Sequence, residues 1–248
     1  MNQGITIFTP TYNRAHRLPV LYQSLCKQTS REFEWVVVDD GSTDDTKSLI
    51  NGWIKEGKIN IRYFWQENAG KAQAHNLGVE MAEKNLFTCV DSDDLLVTNA
   101  VERISKVWNE CLNKIGILCR KIDVNNQSVT FWNEKTKYCT LYDAYRKYGL
   151  KGDAMLVYKT EIIKKYKFPQ FAGEKFITEA YIYDCLDQEG YLYITQEKLC
   201  IVEYLADGYS FNISKVLEEN PFGYQAYLVQ RMKLDKKKKG PKVLIYHT

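Results

Sequence analysis

Three short polar clusters in the first hundred residues are suited to chemistry: Thr9-Pro10-Thr11-Tyr12-Asn13-Arg14, Asp39-Asp40-Gly41-Ser42 and Asp91-Ser92-Asp93-Asp94. Each follows a short apolar run that reads as a buried strand. Asp, Asn, Ser and Gly also favour turns and helix caps, so any one cluster alone could be turn chemistry, and the third could cap a helix near Asn99. Three such clusters at strand ends in one half of the chain favour a binding site, because ligands of open α/β sheets sit beyond the carboxyl ends of the strands. The i, i+2 spacing lets Asp91 and Asp93 serve one ligand from adjacent positions. Carboxylates repel a diphosphate unless a cation lies between them, and Mg²⁺ or Mn²⁺ accepts carboxylate and phosphate oxygens together. Three neighbouring aspartates would also repel one another without a cation. The chemistry implied is a metal-assisted site for a nucleoside diphosphate.

The elements that must hold these clusters follow from periodicity. Ile5–Thr9, Glu34–Asp39, Ile59–Trp65 and Leu86–Val90 read as strands. Leu18–Gln28, Thr43–Lys55 and Lys71–Glu83 read as the intervening helices, the second opened by Ser42 or Thr43 as N-cap. Alternating strands and helices predict βαβ units and a mostly parallel sheet, an α/β sandwich. Beyond Asp94 the rhythm changes. Asn99–Cys111, Leu141–Tyr148, Thr160–Tyr166 and Thr178–Gln188 read as helices; Gly116–Lys121, Val129–Trp132, Tyr191–Thr195 and Leu199–Leu205 read as strands, with a turn at Asn125-Asn126. No internal repeat is evident.

Composition narrows the classes. The net charge of +3 divides unevenly: Arg231–Thr248 carries seven basic side chains and one acidic, leaving an acidic body. That is a poor match to a nucleic-acid binder, which needs a basic face. The stretch Lys233–Lys242 reads as a low-complexity, mobile tail, either solvated or in peripheral contact with an anionic membrane surface. Seven scattered cysteines without a C-x-x-C pair read as reduced thiols of a cytoplasmic protein, and three histidines make a His-rich zinc site unsuitable. Ile5–Phe8 is too short for a signal peptide, and no run reaches the roughly 20 apolar residues of a membrane span. No G-x-G-x-x-G follows the first strand, which disfavours a Rossmann cofactor site.

The sequence resembles GT-A glycosyltransferases of family 2, a group that includes many bacterial capsule, teichoic acid and lipopolysaccharide transferases. The residues that carry the resemblance are Ile7–Arg14, Val36–Asp44, Asn68-Ala69-Gly70-Lys71 with Asn76-Leu77-Gly78, and Asp91–Asp94, in order and at the expected spacing. The resemblance implies a GT-A fold, with a nucleotide-sugar half over residues 1–98, an acceptor half over 99–210, and a helical segment with a basic tail over 211–248. It implies a nucleotide-sugar donor, expected to be UDP-linked, a glycan or lipid-linked acceptor, Mn²⁺ or Mg²⁺, and inversion at the anomeric carbon. By position, Pro10, Thr11 and Tyr12 line the base pocket beside Arg14, and Asp40 with Asp39 reads the base or ribose. Lys71 sits near the nucleotide, Asp91 and Ser92 contact the donor, and Asp93 ligates the metal in a D-x-D arrangement. Where many members carry Arg before Asn-x-Gly, this chain has His75, read here as a helix-surface histidine. Gly152-Asp153 and Gly173–Glu179 also resemble the family. Asp153 contacts the donor sugar or begins a strand. Glu179 is the expected catalytic base, or else a first-turn helix glutamate favoured by the macrodipole, with Glu174 as the alternative base. A nucleotidyltransferase and a catalytically inactive sugar-nucleotide-binding module are the rival readings.

Overall fold

The computed structural model describes residues 2–132, 136–203 and 209–239. In chain order the elements of the first half are β1 (Asn2–Thr11), α1 (Leu18–Cys26), β2 (Phe33–Asp39), α2 (Thr46–Glu56), β3 (Ile61–Trp65), α3 (Lys71–Met81), β4 (Lys84–Cys89) and β5 (Leu95–Leu96). The chain continues through α4 (Ala100–Glu110), β6 (Gly116–Asp123), β7 (Tyr138–Cys139), α5 (Leu141–Arg146), β8 (Ala154–Lys159), α6 (Thr160–Ile163) and α7 (Ala180–Leu186). It closes with β9 (Leu192–Val202), α8 (Tyr209–Glu219) and α9 (Pro221–Lys239). The strands of the described residues form one mixed sheet in the order β3-β2-β1-β4-β8-β6-β9-β5, with β7 beside β9. Strands β3, β2, β1 and β4 run parallel, so their carboxyl ends share one edge.

Period-2 alternation assigns the two faces. On β2, Trp35 and Val37 pack with Leu21, Ile50 and Ile104 from α1, α2 and α4 on one face. Val36 and Val38 pack with Ala74 and Val79 of α3 on the other. Helices cover both faces, which is why β2 is buried at every position and reads as a continuous apolar run.

Several expectations are corrected. Helix α2 begins at Thr46, because Ser42 and Thr43 are drawn into a clasp with the loop after β1: Asn13 N donates to Ser42 Oγ, and Thr43 N donates to Asn13 Oδ1, both at 2.8 Å. Val129–Trp132 forms isolated bridges (Ile122 with Ser128, Phe131 with Lys151) and no strand, since β8 and β9 already occupy both edges of β6 along most of its length. The turn before it forms as expected, with Asp123 Oδ1 accepting from Asn125 N and Gln127 N. The two expected strands over 191–205 are one strand, β9; Leu205 lies outside the described residues. Helix α9 carries the basic stretch as far as Lys239, where a mobile tail was expected, and residues 240–248 lie outside the described residues. Among the described residues no helix is long and apolar enough to cross a membrane.

Helix α3 is the element that aims the site, and it is seated flush on β1. A Cβ on Gly78 would stand 2.3 Å from the Phe8 ring, so only glycine permits this approach. One turn earlier His75, expected at the surface, is 8 % exposed and meets the rings of Phe8, Phe87 and Phe168 edge-on at 5.3–5.6 Å. Burial lowers its pKa to about 4. A histidine held neutral in the fold contributes stability that is complete above its unfolded pKa near 6.5 and is lost as pH falls from there toward 4. His75→Phe should therefore remove about 3 kcal/mol of acid sensitivity over that window. Urea unfolding at a series of pH values compares the two proteins; parallel stability curves would contradict this account.

Candidate active site

The carboxyl ends of β1, β2 and β4 open into a cleft of about 1120 Å³. Pro10, Thr11 and Tyr12 reach it from the end of β1, with Tyr12 half exposed (49 %), and Arg14 follows in the next loop. Asn13 adopts φ 53° to make that turn, and its clasp with Ser42 and Thr43 is extended by Asp44, which accepts from Ala15 N at 2.9 Å. Burial alone would raise the Asp44 pKa, but hydrogen bonds from the Thr46 hydroxyl and from the Ala15 and Thr46 backbone lower it. The loops after β1 and β2 are thus one rigid rim.

Asp39 and Asp40 serve this rim differently from each other. Asp39 is fully buried, away from the cleft, and its carboxylate accepts from Ser42 N and the Tyr63 hydroxyl, both at 2.7 Å. Asp40 lines the cleft, yet its oxygens accept from Gln66 Nε2 at 2.7 Å and from Ala69 N and Gly70 N at 2.9 Å. A carboxylate receiving consecutive backbone N–H groups fixes the turn that begins α3, and so fixes the direction of Lys71. Gly70, at φ 92°, lies against the Lys175 carbonyl so closely that a Cβ would come within 1.9 Å of its oxygen.

Lys71 is the hinge-pin of the charge distribution. Its Nζ lies 2.8 Å from Asp91 and 2.7 Å from Glu179, which joins the end of β4 to the start of α7. Burial alone would lower the ammonium pKa, but the carboxylates of Asp91 and Glu179 raise it well above the ordinary value. Likewise, burial alone would raise Asp91, but Lys71 and Lys121 hold it below the usual carboxylate range. Tyr183 donates from its hydroxyl to the other Glu179 oxygen at 3.4 Å. Asp93 has no lysine partner among the described residues; burial and the neighbouring Asp91 charge raise its pKa. Ser92 and Asp153 also line the cleft. Glu174 does not: it accepts from Phe222 N at 2.8 Å and Gly223 N at 2.7 Å, and so caps the first turn of α9.

The Glycosyl transferase family 2 model matches residues 6–170. GlyG, a glycosyltransferase of Streptococcus pneumoniae serotype 4 (strain ATCC BAA-334 / TIGR4), is 34 % identical over 105 residues, which is 42 % of this chain and 35 % of GlyG. The chain therefore spans about a third of that relative's length. The crystal structure of S. aureus TarS 1–349 in complex with UDP-GlcNAc matches 87 % of this chain and 64 % of that one, at a TM-score of 0.69 and 21 % identity. A mannosyltransferase of Pyrobaculum calidifontis, in complex with GDP-Man and Mn²⁺, matches 98 % of this chain and 77 % of that one at a TM-score of 0.60 and 17 % identity. Both structural likenesses are likenesses of fold.

Lys121 is a site residue that the sequence reading missed. Its only signal was a lysine ending the otherwise apolar run Gly116–Cys119 of β6, broken first by Arg120. From beneath the aspartate loop it pairs with Asp94 at 3.0 Å, with side-chain exposures of 16 % and 9 %. Burial raises the Asp94 pKa to about 6 against the pull of Lys121. Part of the repulsion expected among the aspartates is therefore relieved by two lysines from within the protein. Removing one partner of a buried pair leaves the other charge uncompensated, at a cost of about 3–5 kcal/mol. Lys121→Met should destabilise the fold by that order, and adding Asp94→Asn should restore part of it. Thermal unfolding of the single and double variants measures the recovery; a double variant no more stable than Lys121→Met would argue against the pairing.

Proposed function

The chain belongs to glycosyl transferase family 2, and from that membership we propose that it moves a sugar from a UDP-sugar to a glycan or lipid-linked acceptor, with inversion at the anomeric carbon and with Mn²⁺ or Mg²⁺. The observation that carries this reading is the Lys71 bridge. One ammonium within 2.8 Å of both Asp91 and Glu179 brings a carboxylate of the acceptor half to the edge of the donor cluster. Inverting transfer needs a base there, on the side opposite the leaving diphosphate.

The chain's residues divide the work. Tyr12 offers an exposed ring for the base face, beside Pro10, Thr11 and Arg14. Asp40, with its oxygens already engaged, contributes by holding the Ala69-Gly70 turn, and Asp39 by holding the rim beneath it. Asp91 and Ser92 contact the ribose end of the donor, Asp153 the sugar, and Lys71 the diphosphate. The donor set fits a divalent cation completed by its ligand. Among the described residues no three His, Cys, Asp or Glu side chains are assembled into a cage. Asp93 faces the cleft as a carboxylate without a lysine partner, and Mg²⁺-type sites commonly combine one or two carboxylates with substrate phosphates. A bound Mn²⁺ or Mg²⁺ supplies charge neutralisation of the leaving diphosphate. Glu179 takes the proton of the acceptor hydroxyl, steadied by the Tyr183 hydroxyl. Glu174 is committed to capping α9, which favours Glu179 as the base.

Two variants separate these roles. Glu179→Gln should keep UDP affinity while turnover falls by about 10² or more, the scale of a lost general base. Near-normal turnover in Glu179→Gln would eliminate it as the base. Asp93→Asn should abolish most of the metal-dependent part of UDP binding, read by calorimetry with and without Mn²⁺. If wild-type UDP affinity is the same in both conditions, the metal assignment fails.

A further inference from the structure

One wall of the cleft is built from α5, α7 and α9, and it holds an arginine whose fixing exceeds what helix packing needs. Arg231 of α9 packs against the rings of Tyr142 and Tyr227, with its guanidinium carbon 5.0 and 5.3 Å from their centroids. Its Nε edge lies 2.8 Å from Asp184, as a charge contact without hydrogen-bond alignment. Asp184 is buried, and the Arg231 side chain keeps 18 % exposure. Both residues line the cleft. Tyr142 is itself held, since its hydroxyl donates to Asp235 of α9. Two aromatic rings and a carboxylate thus hold the guanidinium. No described residue accepts a hydrogen bond from its remaining edge.

A second cation stands on the same wall. Arg146, in the last turn of α5, lines the cleft one helical turn beyond Tyr142. It is exposed, and no described acid forms an ion pair with it. Asp184 lies against Arg231 and Asp235 accepts from Tyr142, whereas Arg146 has no ion pair among the described residues. An arginine clamped in this way loses little freedom on binding, and its planar fork matches the oxygens of a carboxylate or a phosphate.

The position relates this wall to the reaction. Glu179, the N-cap of α7, and Asp184 within it are five residues apart, roughly 7–8 Å along the axis and about 140° around it at the pitch of an α-helix, and both line the cleft. An acceptor whose hydroxyl meets Glu179 therefore lies in the same cleft as Arg231 and can extend toward it around α7. We propose that Arg146 and Arg231 form an acceptor subsite for an oxyanion, a phosphate or a sugar carboxylate, in the same cleft as Glu179. The subsite rests on the reading of Glu179 as the base on the acceptor side, and it selects acceptors that carry such an anion.

The test uses the full chain with UDP and Mn²⁺ present at saturation, so that the donor side is filled. Inorganic phosphate, methyl β-D-glucuronide and neutral methyl β-D-glucoside are titrated by NMR. At least one of the anions should bind about tenfold or more tightly than the glucoside, and Arg231→Met and Arg146→Met should each weaken that anion by about tenfold. Preference for phosphate assigns the anion to a phosphorylated acceptor, and preference for the glucuronide to an acidic sugar; both support the subsite. Arg231→Lys, which keeps the charge without the fork, should recover less than half of the lost binding energy. Arg146 is exposed, so its variant keeps the test decisive if Arg231→Met fails to fold. Equal binding of the glucoside, no anion binding, or anion binding unchanged in the arginine variants would overturn the subsite. The last result, accompanied by a lower Tm for Arg231→Met, would make Arg231 a staple between α9 and α7 only. UDP binding by the wild type, measured beforehand, reports on the donor separately: its absence defeats the donor reading, and the anion titration is then repeated without UDP.

Discussion

The Lys71 ammonium, half-buried between Asp91 and Glu179, is the contact on which the rest of the site depends. Burying a cation is costly unless opposite charges and hydrogen bonds compensate it. Here the compensation comes from opposite sides of the cleft, one carboxylate at the end of β4 and one at the start of α7. Satisfying the lysine therefore closes the cleft to a defined width. Lys121 repeats the device, pairing with Asp94 of the same loop. Asp93 remains the carboxylate of this loop with no lysine against it among the described residues, which is why it is the one proposed to hold a cation.

Holding Lys71 in place takes most of the surrounding polar structure. The Asp40 carboxylate grips the backbone N–H groups of Ala69 and Gly70, and Gly70 lets the Lys175 backbone approach from the far side. Gly78 allows α3 to lie against Phe8, and His75 fills the space among three phenylalanine rings as a neutral aromatic. These contacts leave Asp39 and Asp40 little capacity for a ligand. Their contribution to the site is rigidity, the preorganisation that a charged site needs to avoid reorganising as charge develops.

The wall of the cleft that carries Glu179 is held by the C-terminal helices. Asn220 Oδ1 accepts from Lys175 N and Phe176 N at 2.9 and 3.0 Å, and Glu174 caps α9, so the segment leading to Glu179 is suspended between α3 and α9. Arg231 then fastens α9 to α7 at Asp184, beyond Glu179. The wall that carries the aspartate loop is built from strand ends of a parallel sheet, whereas the wall that carries Glu179 depends on packing between helices that share few sequence signals.

The local patterns of the sequence determined the first half of the fold and the positions of the acidic loops. Val36–Val38 reads as a strand buried on both faces because its residues are apolar throughout, and the polar clusters after Thr9, Val38 and Val90 mark the edge where a parallel sheet presents its loops. Those are short-range signals, set by periodicity and turn chemistry, and the resemblance to family 2 rests on the same segments. Tertiary structure decided what the local signals could not contain. His75 lies on a helix whose outward face is covered by Phe168, ninety residues away, so a position that looks like surface is core. Val129–Trp132 has strand-like residues but finds the edges of β6 already taken. Glu174 and Glu179 are both glutamates near the start of a helix, and only the arrival of the α9 N-terminus at one and of Lys71 at the other separates a cap from a candidate base. Lys121 and Arg231 came into the cleft unannounced, because a buried charge is assigned by its partner, and each partner lies tens of residues away along the chain.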